Sequence, residues 1–246
     1  MQHYGLIGKS IQHSFSPSYF AKKFARENIQ HAQYDLFPLE QIEDFPILIK
    51  SKNNWGGLNV TIPYKEQIIP YLDGLSEEAQ TVGAVNTIAF EEGKLVGYNT
   101  DVIGFEEALL SLLPIAYAGM KGLILGTGGA AKAVAYVLEK LNLSYLYVSR
   151  KEAPQQLLYQ QLTEPLLQEY HLIINTTPVG QYPMVEKAPN LNYNWLGAGH
   201  FLMDLIYNPA ETLFLERGRV QGANTLNGLP MLEAQAEAAW RIWRSR

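Results

Sequence analysis

Gly126, Gly128 and Ala131 stand at Gly-x-Gly-x-x-Ala spacing within Gly126-Thr127-Gly128-Gly129-Ala130-Ala131. The first two positions let the backbone turn sharply and approach a ligand, and the small third one lets a helix pack on a sheet, as in the Ala-ending dinucleotide fingerprint. Free amides at the start of that helix would face a pyrophosphate, which the helix dipole favours. Such turns also serve packing alone. Further on, Ser149-Arg150-Lys151 occupies the place where an acidic residue would bind the ribose 2′-hydroxyl of NAD. Two cations and a hydroxyl suit a 2′-phosphate, so the cofactor is read as NADP(H). An ordinary solvated charge pair after a strand is the alternative.

A second set of polar residues lies earlier. Lys65 falls in the first turn of a helix opened by Pro63, where a cation opposes the dipole and invites a reason, unless it points into water. Asn59, Thr61, Lys65, Asn86 and Asp101 all fall at or just beyond predicted strand ends, where open α/β sheets place ligands. Asp101 also suits the N-cap of a helix over 102–113. Ser14 and Ser16 lie on a loop entering a helix, and Ser16 before Pro17 reads locally as an N-cap. Gln235 falls on the apolar stripe of the last helix with Met231, Leu232, Ala239, Ile242 and Trp243, so it is a ligand contact or a satisfied core amide.

These residues need a scaffold of strands followed by turns and helices. Leu123-Ile124-Leu125, the Gly turn and a helix over 130–141 form one such unit, and strands follow at 145–148, 172–175 and 201–204. The N-terminal part reads as a strand at 4–8, a helix to about Asn28, a strand at 32–37, a weaker helix over 39–50, and a strand in which Leu58, Val60 and Ile62 alternate with Asn59 and Thr61. A hairpin turning at Glu91-Glu92-Gly93-Lys94 precedes Asp101. The pattern is α/β.

Composition bounds the function. The 246 residues suffice for one large or two modest domains, and 47% hydrophobic with 17% charged residues is a globular balance. A net charge of −5 with dispersed basic residues gives no nucleic-acid footprint. With no Cys, disulfides, thiolate metal sites and cysteine nucleophiles are excluded, and His3, His13, His31, His171 and His200 lack metal-site spacing. No run reaches the roughly 18 apolar residues of a membrane span, and no signal-like segment opens the sequence, so a cytoplasmic location is expected.

Nine ordered segments carry a resemblance. They are Tyr4-Gly-Leu-Ile-Gly8, His13-Ser-Phe-Ser-Pro17, Asn59-Val-Thr-Ile-Pro-Tyr-Lys65, Gly83-Ala-Val-Asn-Thr87, Asn99-Thr-Asp101, Gly126-Thr-Gly-Gly-Ala130, Asn175-Thr-Thr-Pro-Val-Gly180, Asp204-Leu-Ile-Tyr-Asn-Pro209 and Asn227-Gly-Leu-Pro-Met-Leu232 with Gln235. Spanning nearly the whole chain, they resemble the shikimate dehydrogenase family. The resemblance implies two lobes: a discontinuous substrate domain, 1–101 plus 225–246, and a Rossmann-like NADP-binding domain, 102–224. The last helix would return to the first lobe, with hinges near Asp101 and Asn224 and the active site in the cleft.

The implied activity is NADP-dependent reduction of 3-dehydroshikimate to shikimate, in aromatic amino-acid biosynthesis. A hydride reaching a carbonyl carbon leaves charge on oxygen, which a positioned donor must neutralise, and Lys65 is the candidate. Carried over residue by residue, Lys65 and Asp101 are catalytic. Ser14, Ser16 and Tyr207 hold the substrate carboxylate, while Asn59, Thr61, Asn86 and Gln235 meet ring hydroxyls. Gly126, Thr127, Gly128, Gly129, Ala130, Ser149, Arg150, Lys151, Thr176, Leu205 and Gly228 bind the cofactor, and no metal is expected. The partner is a small-molecule substrate, with the enzyme a monomer or homodimer and no nucleic-acid or membrane partner. The chain departs from the family at Ser149-Arg150-Lys151, for the usual Asn-Arg-Thr, at Pro154 near a second basic position, and at Tyr19-Phe20 for His-Asn. Alternatives are a quinate dehydrogenase using NAD, a non-catalytic NADP-binding regulator, and an S-adenosylmethionine methyltransferase. The basic Arg150-Lys151 corner speaks against the last of these.

Overall fold

The computed structural model describes residues 1–154 and 156–245. The chain forms two compact units, Met1–Thr100 with Gln235–Arg246, and Asp101–Ala234.

In the first unit, β1 (Gln2–Gly8), α1 (Ser16–Arg26), β2 (Ala32–Pro38), α2 (Phe45–Lys50) and β3 (Trp55–Val60) form the parallel part of the sheet. After α3 (Tyr64–Gln67), β4 (Gly74–Leu75) and α4 (Glu77–Val82), the hairpin β5 (Thr87–Glu91) and β6 (Lys94–Tyr98) completes it in the order β2-β1-β3-β5-β6-β4. The hairpin turn holds Glu92 at φ 48° and Gly93 at φ 80°, the left-handed pair that matches the twist of two joined strands. Here the sheet is mixed, since β5 runs antiparallel to β3.

The C-terminal helix belongs to this unit from Gln235 on. Trp240 and Trp243 are buried with Tyr4, Phe20 and Phe24, and the Trp243 indole N–H donates to the Ile88 carbonyl at 3.0 Å. A Cβ at Gly57 would collide with that indole, so the strand needs glycine there for the helix to sit down. The almost fully buried Lys23 ammonium pairs with Glu237 at 2.7 Å, joining α1 to the same helix.

The second unit takes α5 (Thr100–Leu112) from its second residue, then β7 (Lys121–Leu125), α6 (Gly129–Lys140), β8 (Ser144–Ser149), β9 (Gln156–Leu158), α7 (Glu164–Glu169), β10 (Leu172–Asn175), β11 (Phe201–Asp204), α8 (Leu213–Val220), β12 (Asn224–Leu226) and the start of α9 (Leu229–Arg244). All pairings in its sheet are parallel, in the order β12-β11-β10-β7-β8-β9. Numbered within the unit this is 3-2-1-4-5-6, the doubly wound dinucleotide-binding order. Winding reverses between β7 and β10, and that reversal opens the crevice where such sheets take ligands. Leu123, Ile124 and Leu125 have no exposed surface, as expected for a central strand covered on both faces. Ala131, Val134, Val137 and Leu138 give α6 its buried face.

Several local expectations are corrected. Ser16 is not an N-cap: α1 begins at Ser16 itself after Phe15, without a side-chain cap, and Ser14 Oγ accepts the Ser16 N–H at 3.3 Å. Pro17, which has no N–H, takes one of the amides a cap would serve. Asp101 is not a cap either, since α5 starts one residue earlier and the Thr100 amide donates to Asn86 Oδ1 at 2.7 Å. The helix expected over 39–50 is broken into a 3₁₀ turn, Ile42–Asp44, and α2, whose first turn holds a proline. Strand β3 stops at Val60, so Thr61 lies in the turn and Ile62 is exposed. β9 and β12, three residues each, carry no readable alternation.

Candidate active site

In the first unit a connected polar cluster lies where β3 ends. Asn59 Nδ2 donates to the Asn86 carbonyl at 3.2 Å and to Thr87 Oγ1 at 3.1 Å. Asn59 Oδ1 accepts from the Tyr34 hydroxyl at 2.8 Å. Burial raises the Tyr34 phenol above its usual range, and a hydrogen bond from Ser16 opposes that shift. Asn86 Nδ2 donates to Gln235 Oε1 at 3.0 Å. Ser14, Ser16, Asn59, Asn86 and Gln235 are thus tied together within one unit, although Gln235 is 149 residues from Asn86 in sequence.

Lys65 reaches the same cluster through its main chain. Its carbonyl accepts the Val85 amide at 2.7 Å, next to Asn86. Tyr64 anchors α3 from below: it is buried and its hydroxyl donates to the Leu39 carbonyl at 2.7 Å. Lys65 itself is half-buried. Thr61 donates its amide to the Ile7 carbonyl at 2.8 Å and accepts the Tyr64 amide at 2.9 Å, bridging β1 to α3. Asp101 and Tyr207 fall in the second unit, Asp101 in the first turn of α5 and Tyr207 three residues beyond β11.

The second unit gathers the glycine turn and its neighbours. Gly126 has φ 109°, and a Cβ there would stand 2.8 Å from Thr176 Oγ1, so only glycine fits without strain. The Thr176 hydroxyl donates to the Leu125 carbonyl at 2.7 Å, closing the end of β10 onto the end of β7. At Gly128 and Gly129 a Cβ would meet nothing within 4 Å, and α6 begins there with no side-chain cap. Open space in front of uncapped helix amides is what a phosphate needs. A cleft of about 710 Å³ is lined by Gly126, Thr127, Gly128, Ser149, Arg150 and Thr176, with Lys187 also on its wall. That volume is within the range of ligand and cofactor sites. Gly129, Ala130 and Lys151 are exposed and outside the lining; Lys151 donates its amide to Ser149 Oγ at 3.1 Å. Leu205 and Gly228 meet each other: the Gly228 amide donates to the Ile206 carbonyl at 3.0 Å, and a Cβ at Gly228 would collide with the Leu205 carbonyl.

Beneath these loops lies Asp204, with no exposed surface. Burial pushes its carboxyl up to about 6, against hydrogen bonds from Thr212, the Ile206 amide and Asn175 that pull it down. The Thr212 hydroxyl donates to Oδ2 at 2.6 Å and Asn175 Nδ2 to Oδ1 at 3.0 Å. Asn175 Oδ1 in turn accepts the Thr177 hydroxyl at 2.6 Å. The carboxylate therefore ties the turn after β10 to the turn after β11. Among the described residues no group of His, Asp and Glu could hold a metal ion, and no helix is long and apolar enough to cross a membrane.

Known proteins share this fold. Residues 6–88 match the family described as the shikimate dehydrogenase substrate binding domain. A shikimate dehydrogenase (NADP(+)) of Carboxydothermus hydrogenoformans is 37% identical, over 97% of this chain and 90% of its own length. Another, of Clostridium beijerinckii, is 40% identical, over 99% and 92%. The chain belongs to the shikimate dehydrogenase family. The crystal structure of a shikimate 5-dehydrogenase from Thermus thermophilus, in complex with NADP(H) and shikimate, has a TM-score of 0.86 at 32% identity, covering 100% of this chain and 94% of that one.

As a shikimate dehydrogenase family member the chain has an N-terminal substrate domain, a Rossmann-like second domain and a C-terminal helix that returns to the first. Residue reading missed Tyr34, Thr87 and Thr100, which complete the polar cluster, and the Asp204–Thr212 pair. Thr87 and Thr100 each directly follow an asparagine in a family segment, Asn86 and Asn99, which was the available signal.

Proposed function

We propose that the protein catalyses the reversible NADP-dependent reduction of 3-dehydroshikimate to shikimate. The observation that carries this reading is identity of 37–40% over nearly the full length of enzymes bearing that name, in a chain that carries Lys65, Asp101 and the polar cluster around Asn86. The first unit takes the substrate and the second the cofactor. The glycine turn and α6 amides hold the pyrophosphate, while Ser149 and Arg150 hold the 2′-phosphate; Lys151, Gly129 and Ala130 border the same site, with Thr176, Leu205 and Gly228 toward the nicotinamide end. When bound, NADPH supplies a hydride.

The side chains do the rest. The Lys65 ammonium gives a proton to the ketone oxygen as charge develops there, and in the oxidation direction the neutral amine takes it back. Asp101 accepts from a substrate hydroxyl. Ser14, Ser16 and Tyr207 hold the carboxylate, and Asn59, Thr61, Asn86 and Gln235 meet the ring hydroxyls. Absorbance at 340 nm, with purified protein and shikimate or quinate, each with NADP and NAD in parallel, tests this. Rapid NADPH formation from shikimate is expected. Turnover confined to quinate with NAD, or none with any pair, overturns it.

A further inference from the structure

The orientation of an amide is set by neighbours whose hydrogen-bonding sense cannot change. In the first unit Asn86 has such a neighbour. The Thr100 main-chain N–H can only donate, and it lies 2.7 Å from Asn86 Oδ1. The Thr100 and Thr87 hydroxyls also lie 3.1 Å from Oδ1 and 3.1 Å from each other, and since a hydroxyl donates or accepts they follow the sense of the amide and do not set it. Turning the amide over would set an NH₂ against an N–H with all three residues buried, a mismatch a buried site does not tolerate. Asn86 therefore presents Nδ2 to Gln235, and the atom of Gln235 at 3.0 Å is Oε1. Asn59 is fixed by the same logic, because its Nδ2 faces the Asn86 main-chain carbonyl, which can only accept.

We propose that the main chain of Thr100 is a positioning group that locks the Asn86 amide in one sense, so that Gln235 turns Oε1 toward Asn86 and meets its ligand as a hydrogen-bond donor through Nε2. The order runs from the Thr100 amide to Asn86, then to Gln235. That the ligand is the substrate rests on the functional reading above. Gln235 then recognises a lone pair on a substrate oxygen, and its selectivity depends on a residue at the start of α5 that need not touch the substrate.

The test compares Thr100→Pro, which removes the main-chain N–H at the first residue of α5, a position that tolerates proline, with Thr100→Val, which keeps the N–H and removes only the hydroxyl. Losing the fixed donor should raise the KM for shikimate about 5- to 50-fold in Thr100→Pro. The KM for NADP should stay unchanged and kcat within about threefold, with Thr100→Val close to wild type. In a Gln235→Ala background, Thr100→Pro should add less than about twofold, because both changes act on one contact. Gln235→Glu, which keeps an acceptor for Asn86 and removes the donor, is the parallel variant should Thr100→Pro not fold, and should raise the KM for shikimate to a similar extent. Independently of activity, the Asn86 side-chain NH₂, assigned by its loss in Asn86→Asp, should exchange slowly with solvent in the ligand-free wild type and in Thr100→Val, and fast in Thr100→Pro. Equal behaviour of the Pro and Val variants, full additivity with Gln235→Ala, an unchanged KM in Gln235→Glu, or fast exchange in the wild type overturns the proposal. A wild type that does not oxidise shikimate would sink the functional reading alone, since the exchange measurement still decides the amide orientation.

Discussion

The segment that carries Asn86 also fixes Lys65, through the Val85 amide on its carbonyl, while Tyr64 and the fully buried Ile68 hold α3 to the core. Removing the lysine side chain therefore leaves the helix its anchors. Lys65→Ala should fold, keep its NADP affinity and lose turnover by about 10²- to 10⁴-fold, the usual contribution of a placed proton donor. Retention of more than about a tenth of wild-type kcat would remove Lys65 from the reaction. The cation pair after β8 divides in a similarly checkable way. Arg150 lines the cleft and Lys151 does not, so Arg150→Ala should raise the KM for NADP about 10- to 100-fold, the loss of a charge-assisted contact. Lys151→Ala should leave it nearly unchanged, and neither should alter the KM for NAD. Initial rates with both cofactors separate these outcomes.

At the scale of elements, the turn between β7 and α6 assigns its glycines different duties. Gly126 is required by its own backbone, with φ at 109° and Thr176 beside it. Gly128, at φ −79° and ψ −174° with open space around it, could carry a side chain as far as the protein is concerned. Gly128→Ala should thus leave the melting temperature of the ligand-free protein within about 2 °C and weaken NADP binding at least about tenfold, as read by calorimetry or fluorescence titration. An unchanged affinity would place the pyrophosphate elsewhere. This division also shows what the sequence could convey. The β7–turn–α6 unit was readable because glycine spacing, the apolar run and the Ala-rich helix are local and agree with one another. In the Asn59–Asn86–Gln235 cluster the two asparagines were readable only as polar residues at strand ends and Gln235 as a polar residue on an apolar helix stripe, because the partners come from β2, β5, α5 and α9. The helix start at Thr100 was hidden for the same reason, its amide being served by Asn86, 14 residues away, whereas at Ser16 the acceptor is local, Ser14 two residues before, and takes the place of a cap by Ser16 itself.

For the molecule as a whole, stability at neutral pH bears a charge held out of water. Asp204 titrates near 6 in the folded protein against an ordinary value of 3.8. The folded state therefore binds this proton more tightly than the unfolded one. The associated stabilisation is complete below about pH 3.8 and is lost as pH rises through about 6, the sign expected of a raised value. A shift of about two pH units corresponds to roughly 3 kcal/mol at most. Asp204→Asn cannot ionise, yet its NH₂ must face one of the three donors that now surround the carboxylate, so it will differ from wild type by a constant offset as well. The pH-dependent part survives subtraction. Urea unfolding of both proteins from about pH 4 to 8 should show the stability of the wild type falling relative to Asp204→Asn by about 1 to 3 kcal/mol, mostly between about pH 4 and 6. A difference that is flat with pH would mean that the hydrogen bonds from Thr212, Asn175 and Ile206 balance burial, and one that grows in the opposite direction that they outweigh it. With the slope reversed, Asp204 would be a stabilising anion tying together the turns after β10 and β11, and not a charge borne at a cost to keep them in place.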